Sequence, residues 1–262
     1  MQLDLNGRHA LVCGASQGIG RAAAQELALL GANVTVLARN AQTLATVVDE
    51  LPRVHAAQSH AFIAVDMADA ETLRRKVESS AYAAPVQILV NNTGGPPGGP
   101  AQAAKADEFV AAFSHHLLAN HALLQSVLPG MREAGFGRVI NVISTSVKEP
   151  IRNLGVSNTI RGAVASWAKT LAGELGPLGI TVNNVLPGYT RTQRLEQIVR
   201  DRVAASGKSV AEIEAAMLAS VPAGRFADAA EIAAAIAFLA SPAAAYINGV
   251  SLAVDGGRMQ SI

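Results

Sequence analysis

The chain has 262 residues, half of them apolar and 16% charged, with 21 basic groups against 20 acidic ones and a net charge of +1. Such a composition favours a compact globular protein over a disordered one, and the absence of any basic block argues against a nucleic-acid partner. A single cysteine, Cys13, rules out an intrachain disulfide, no apolar run reaches membrane length, and residues 1–6 lack the pattern of a secretory signal, so a soluble, cytoplasmic protein is expected.

Residues 9–13 form an apolar run that leads into Gly14-Ala15-Ser16-Gln17-Gly18-Ile19-Gly20. Ala23, Leu27 and Leu30 then recur at helical spacing over 22–30, and Gly31 closes the helix. A strand–turn–helix unit of this kind aims unpaired N–H groups toward solvent, where they suit a phosphate. Glycine lets a pyrophosphate approach the backbone with no Cβ in the way. The spacing Gly-x-x-x-Gly-x-Gly has a longer first interval than the usual dinucleotide fingerprint, and glycine turns between strand and helix are common in α/β proteins.

A second strand is expected over 33–38. NAD-binding proteins commonly carry an acid at its end for the ribose 2′-hydroxyl; this chain has Arg39, which suits a 2′-phosphate, the plain alternative being a solvated arginine. A helix over 43–51 precedes a strand over 61–65 and Asp66, which is either a turn organiser or an acceptor for an adenine amino group. After a helix over 70–80, residues 88–90 are apolar without alternation, as in a parallel strand covered on both faces. Asn91-Asn92-Thr93-Gly94 follows, with asparagines suited to bond neighbouring strands or line a crevice. Residues 94–100 hold four glycines and three prolines and read as a loop without regular structure.

The pattern continues with a helix over 106–134, broken near Pro129 and capped by Gly135, and a strand over 138–143 that ends at Ser144. A helix over 156–175 carries Ile160, Val164, Trp167 and Leu171 at helical spacing, and a strand over 180–186 closes on Pro187-Gly188-Tyr189-Thr190-Arg191-Thr192. A polar helical stretch over 194–220, apolar at Ile198, Val199, Ile213 and Met217, reads as a partly covered lid within a substrate loop at about 189–221. A helix over 228–239 and a strand over 250–254 complete the chain before Asp255-Gly256-Gly257. Seven strands alternating with helices imply an α/β fold, a single doubly wound Rossmann domain over 1–262 with a seven-stranded parallel sheet and its ligands at the carboxyl ends of the strands.

Several short pieces recur in a fixed order: Gly14-x-x-x-Gly18-Ile19-Gly20, Asp66, Asn91-Asn92-Thr93-Gly94, Ser144, Gly179-Ile180-Thr181-Val182-Asn183, Pro187-Gly188-x-x-x-Thr192, Gly224-Arg225 before Glu231-Ile232, and Asp255-Gly256-Gly257. In these the chain resembles the short-chain dehydrogenase/reductase family along nearly its whole length. The resemblance implies a nicotinamide cofactor, no metal, and hydride transfer at a carbonyl or alcohol carbon. It implies cofactor contacts from Gly14, Ser16, Gln17, Gly18, Ile19, Gly20, Asp66, Met67, Asn92, Thr93, Gly94, Arg161, Pro187, Gly188, Thr190 and Thr192, with Arg39 favouring NADP(H) over NAD(H). Family members commonly form tetramers through their fourth and fifth helices, so a homo-oligomer, tetramer or dimer, is expected. The apolar spacing of Val164, Trp167 and Leu171 permits it.

The family's catalytic set carries over incompletely. Its members hold the substrate oxygen with a Ser, move the proton with a Tyr and a Lys four residues later, and support a relay with an Asn on the fourth helix. Ser144 matches the Ser, but Ser157 stands in the Tyr position, Arg161 in that of the Lys, His116 in that of the Asn, and Thr93 replaces the usual Ala. None of Tyr82, Tyr189 and Tyr246 has a Lys four residues on. A serine hydroxyl titrates too high to donate readily, so Ser157 would orient substrate; Arg161, with a pKa of roughly 12.5 or more, would supply charge and a bond to the cofactor ribose without shuttling a proton. His116, an imidazole titrating near neutrality, is the replacement donor, with His115 beside it and Lys148 a weaker candidate; the bland reading is a helix-packing pair. Loss of a general acid removes about 10² to 10⁴ in rate. The expected function is an NADPH-preferring oxidoreductase reducing a small-molecule carbonyl with an atypical proton donor. The alternatives are a catalytically impaired dinucleotide-binding protein, acting as sensor or partner subunit, and a lyase or isomerase on the same scaffold.

Overall fold

The computed structural model describes residues 1–261, and of Tyr82 and Ala83 the backbone alone. Seven strands, β1 (His9–Cys13), β2 (Asn33–Ala38), β3 (His60–Ala64), β4 (Ile88–Asn91), β5 (Gly137–Val142), β6 (Ile180–Pro187) and β7 (Ser251–Val254), form one sheet in the order β3-β2-β1-β4-β5-β6-β7. Every adjacent pair is parallel. The order reverses between β1 and β4, which opens a crevice at the carboxyl ends of those strands.

The period of two along each strand sorts the core into two layers. Ala10, Val12, Val34, Val36, Ile88, Val90 and Ile140 face α1 (Gly18–Leu29), α2 (Ala41–Glu50) and α9 (Ala229–Ala240). Leu11, Cys13, Leu37, Leu89, Val139 and Val182 face α3 (Ala70–Ala83), α5 (Ala119–Glu133) and α6 (Gly155–Leu175). Cys13 is the small buried filler its place suggested, its thiol pushed up to about 12 by burial. No helix among the described residues is long and apolar enough to cross a membrane.

Four sequence expectations change. Helix α1 begins at Gly18, ahead of the apolar repeat, because its glycine-rich first turn offers only Ile19 to the core and so carries no repeat to mark it. The long helix is interrupted at a π-helical turn, Ser114–Leu118, between α4 (Ala106–Phe113) and α5, whereas Pro129 lies inside α5. Pro129 and Gln125 are both exposed, so the carbonyl that loses its donor is left to water. The stretch over 194–220 is two helices, α7 (Gln193–Ser206) and α8 (Val210–Leu218), parted at Gly207, where φ is +69°. They close on each other through Leu195, Val199, Ile213, Met217 and Phe226. Finally, Val164 and Leu171 belong to this chain's own core and only Trp167 of that stripe is partly open.

The Gly/Pro-rich segment is also more ordered than a plain loop. Gly99 bridges Leu154, with Gly99 N–H donating to Asn153 at 2.8 Å and Gly155 N–H donating to Gly99 at 2.9 Å. A Cβ on Gly155 would lie 2.4 Å from the Ala101 backbone, so only glycine lets α6 start this close to the segment. The first turn of α6 is thereby pinned against one wall of the crevice.

Candidate active site

The crevice is closed around the glycine turn. Gly14 and Gly18 have φ of +58° and +57°. A Cβ on Gly14 would lie 2.5 Å from the Asn92 carbonyl oxygen, and one on Gly20 would lie 2.4 Å from the Gly14 carbonyl oxygen. Asn92 Nδ2 donates to the carbonyls of Cys13 and Gly14, both at 3.3 Å. A Cβ on Gly18 would meet Thr192 Cγ2 at 3.2 Å, which sets the segment after β6 over the turn. Gln17 takes the N-cap position of α1 in an extended conformation without a side-chain cap bond, so the N–H groups of the first helical turn are left for an anion. Ser16 and Ile19 line the same turn, half-buried. This cradle has the shape a pyrophosphate needs and a side chain would fill.

The segment after β6 is fixed by its own hydroxyls. Thr190 donates to the Gly188 carbonyl at 3.1 Å; Thr192 donates to the Thr190 carbonyl at 3.2 Å and accepts from Leu195 N at the start of α7. Pro187 ends β6, and Gly188 packs so tightly on Asp255 that a Cβ would lie 2.6 Å from its Cα.

Arg39 and Asp66 are exposed at the ends of β2 and β3. Arg39 meets no carboxylate among the described residues. Asp66 accepts from Ala68 N at 3.0 Å, so it does organise its turn. Both act on His115: burial lowers the pKa of that half-buried imidazole, Asp66 raises it, and Arg39 and Arg161 lower it. The Met67 side chain is buried in the core, which leaves only its backbone for a ligand.

At the other end, Ser144 opens the 3-10 turn Thr145–Val147, its hydroxyl accepting from Ser146 N at 3.1 Å. Ser157 and Arg161 lie one turn apart on α6, both buried. Arg161 donates Nη1 to the Val142 carbonyl and Nη2 to the Thr93 carbonyl, each at 3.2 Å, and so ties the end of β5 to the end of β4, next to Gly94. Burial, and then the Arg194 charge, bring its pKa down to about 10, which leaves it protonated at neutral pH.

His116 lies in the π-helical turn at 2% exposure, its Nδ1 hydrogen-bonded to the Thr93 hydroxyl. Burial foremost, then the charges of Arg161 and His115, push its pKa down to about 2. The expectation of an imidazole titrating near neutrality is therefore corrected, since the side chain is uncharged throughout the working range. Thr93, His116 and Arg161 form one connected cluster. Lys148 stays exposed.

Two groups at the crevice were not found from sequence. Arg194, on α7, donates Nη2 to the Pro96 carbonyl at 3.0 Å. Arg258 donates Nη1 to Thr145 Oγ1 at 3.2 Å and lies 4.6 Å over the Tyr189 ring. Each is an isolated arginine outside any motif, so no spacing signal marked it. The asparagine expectation holds: Asn91 donates to Asn141 at 2.9 Å, which donates to Asn184 at 3.0 Å, which donates to Ser251 at 3.1 Å.

The family described as Enoyl-(Acyl carrier protein) reductase matches residues 14–258. The chain is 31% identical to the NADPH-dependent reductase BacG of Bacillus subtilis (strain 168), over 97% of this chain and 99% of that protein. It is 34% identical to the 3-oxoacyl-(acyl-carrier-protein) reductase FabG of Vibrio harveyi, over 97% of this chain and 98% of that protein. Among solved structures, the L-sorbose reductase of Gluconobacter frateurii, complexed with NADPH and L-sorbose, matches with a TM-score of 0.92 and 28% identity over 100% of both chains. With the match running from the glycine turn to the segment after β7, the chain belongs to the short-chain dehydrogenase/reductase family.

Proposed function

We propose that the protein is an NADPH-preferring carbonyl reductase in which a buried guanidinium and two serine hydroxyls stand in for the tyrosine–lysine pair. The observation that carries the reading is Arg161, a protonated side chain enclosed between the ends of β4 and β5, one helical turn from Ser157. The glycine cradle fits the dinucleotide, and Arg39 suits its 2′-phosphate. BacG is an NADPH-dependent reductase and the L-sorbose reductase was solved with NADPH, which supports the same preference here. When bound, the dinucleotide supplies a hydride to the substrate's carbonyl carbon.

The chain's own residues hold and polarise the carbonyl. Ser144 and Ser157 orient its oxygen, and the fixed charge of Arg161 stabilises the negative charge growing there, in a site already arranged for it. Arg161 keeps its protons. The proton that completes the alcohol comes from water by way of a serine hydroxyl, which takes one proton as it gives another. His116 contributes as a neutral group that holds Thr93 in place through its Nδ1. A homo-oligomer in the cytoplasm completes the reading. The oligomer is supported by the exposed apolar Val110, Phe113 and Leu118 near α5 and by the exposed Tyr246, Val250 and Leu252 around the β7 edge.

The test is a fluorescence titration with NADPH and NADH, followed by turnover against aldehydes, ketones, diketones and quinones, with Ser144→Ala and Arg161→Gln as variants. NADPH binding tighter than NADH, and turnover that falls by about 10²-fold or more in Arg161→Gln, is the expected result. NADPH that binds but is never consumed would overturn the reading in favour of a sensor or partner subunit.

A further inference from the structure

We propose that the substrate carries an anionic oxygen group, a carboxylate or a phosphate ester, and that Arg194 selects for it. This rests on the reductase reading above and adds the charge of the molecule reduced. Three guanidinium groups are fastened to segments that follow β4 and β5, Arg161 and Arg194 to residues 93–96 and Arg258 beside Ser144. Arg161 ties Thr93 to Val142 at the floor. Arg194 reaches from the lid helix to the Pro96 carbonyl, near enough that a Cβ on Gly95 would lie 3.4 Å from its Nη2. Arg258, from the C-terminal tail, bonds the residue after Ser144 and covers Tyr189 at the start of the lid.

None of the three meets a carboxylate among the described residues, although five arginines elsewhere in the chain do. Each spends part of its donor fork on a neutral oxygen, and the buried Nε of Arg258 has no partner. Two carboxylates near the Arg258 tail are taken up by backbone donors: Glu149 accepts from Gln260 N at 2.7 Å and Ser261 N at 2.6 Å, with Arg258 acting on it only through its field, and Asp255 accepts from Gly257 N at 3.0 Å and Met259 N at 2.8 Å. Arg194 in turn acts on Arg161 strongly enough to lower its pKa. Unpaired cations held together around a crevice repel one another, and an anion placed among them removes that repulsion. The fork of a guanidinium suits a carboxylate or phosphate by two parallel bonds. A neutral carbonyl compound would leave the charges uncompensated.

The test compares matched pairs on the full-length protein with NADPH: phenylglyoxylate against phenylglyoxamide, and dihydroxyacetone phosphate against dihydroxyacetone. At least one anion is expected to exceed its neutral partner about tenfold or more in kcat/KM, the difference of one charge-assisted hydrogen bond. The preference should weaken with salt, collapse toward unity in Arg194→Gln and survive in part in Arg194→Lys; which pair shows it tells carboxylate from phosphate. NADPH consumed with equal efficiency on both members of both pairs overturns the inference and leaves the reductase reading standing. A weaker NADPH affinity in Arg194→Gln with an unchanged preference would assign Arg194 to the cofactor's phosphates instead, and also overturns it. NADPH bound but consumed by neither member of either pair, nor by the wider carbonyl panel, defeats the reductase reading and this inference with it.

Discussion

The Nδ1 of His116 shares a hydrogen bond with the hydroxyl of Thr93, which joins the π-helical turn to the end of β4. A buried ring nitrogen needs a partner, and the threonine is there to supply it. Through its carbonyl the same threonine receives Arg161, so one residue joins α6 to the π-helical turn.

Thr93→Ala strands the imidazole nitrogen in a buried setting and should cost about 1 to 3 kcal/mol in urea denaturation. His116→Asn alone leaves the Thr93 hydroxyl without its partner. The double variant Thr93→Ala/His116→Asn should cost less than the sum of the two, with a coupling of about 0.5 to 3 kcal/mol. Strict additivity would show that the two positions are independent.

Stability should fall with acid in a window set by the buried histidines. The folded pKa of His116, about 2, lies below the 6.5 of an ordinary imidazole, so the unfolded chain takes up the proton first as pH drops. Its contribution is whole above 6.5 and is lost progressively from there toward 2. The slope is at most about 1.4 kcal/mol per pH unit for one histidine. His9, His60 and His115 are lowered as well and act in the same direction. Urea midpoints should be level above neutrality and decline below 6.5, and His116→Asn should remove about one proton from that slope. An unaltered slope in the variant would mean that His116 is charged in the folded protein.

The sheet was legible because unalternating apolar runs such as residues 88–90 fit strands covered on both faces, and because their alternation with helices points to a doubly wound parallel sheet. The residues of the site were legible as positions. Their physical states were not. The neutrality of His116 depends on Arg161, far along the chain, and on how tightly α6 seals the pocket. The π-helical turn leaves no trace in the apolar spacing, whereas Pro129 gives a misleading one. Arg194 and Arg258 reach the crevice because α7 starts at the Thr192 cap beside it and the tail folds back onto Glu149. Apolar spacing likewise marks Val164 and Leu171 as covered without telling core from interface.

Arg39 sits exposed at the end of β2, while Asn40 beside it is occupied in capping α2 through Thr43 N at 2.9 Å. Arg39→Ala therefore removes a free guanidinium without disturbing the cap. NADPH affinity should fall by about 10- to 100-fold, the equivalent of a charge-assisted bond to a phosphate. NADH affinity should move far less, as fluorescence titration would show. An equal loss for both nucleotides would place Arg39 away from the 2′-phosphate.

A methyl group at Gly20 would meet the Gly14 carbonyl oxygen at 2.4 Å and Asn92 Nδ2 at 2.7 Å, both parts of the cradle. Gly20→Ala should destabilise the protein by about 1 to 3 kcal/mol through overpacking and weaken NADPH binding at least tenfold. Gly173, in α6, has nothing within 4 Å of its Cβ position. Gly173→Ala should stabilise by about 0.4 to 1 kcal/mol through the unfolded state and leave nucleotide binding as it was. If both variants bound NADPH like the parent, the close approach at Gly20 would have no part in holding it.

Asn141 is the middle rung of a side-chain ladder that runs in register from β4 to β7, through Asn91, Asn141, Asn184 and Ser251. It has no exposed surface. Asn141→Leu is close in size, so it adds little strain, but it removes the acceptor of Asn91 Nδ2 and the donor to Asn184 Oδ1. Asn91 Oδ1 is already without a partner, so the substitution would leave that side chain with no bond at all. Two stranded buried groups should cost about 2 to 6 kcal/mol in urea denaturation. Because β4 and β5 lead into Thr93 and Ser144, the loss should also appear as weaker NADPH binding. A cost below about 1 kcal/mol would mean that water or a shifted side chain takes over both bonds, and that the ladder does not set the spacing of the strands beneath the site.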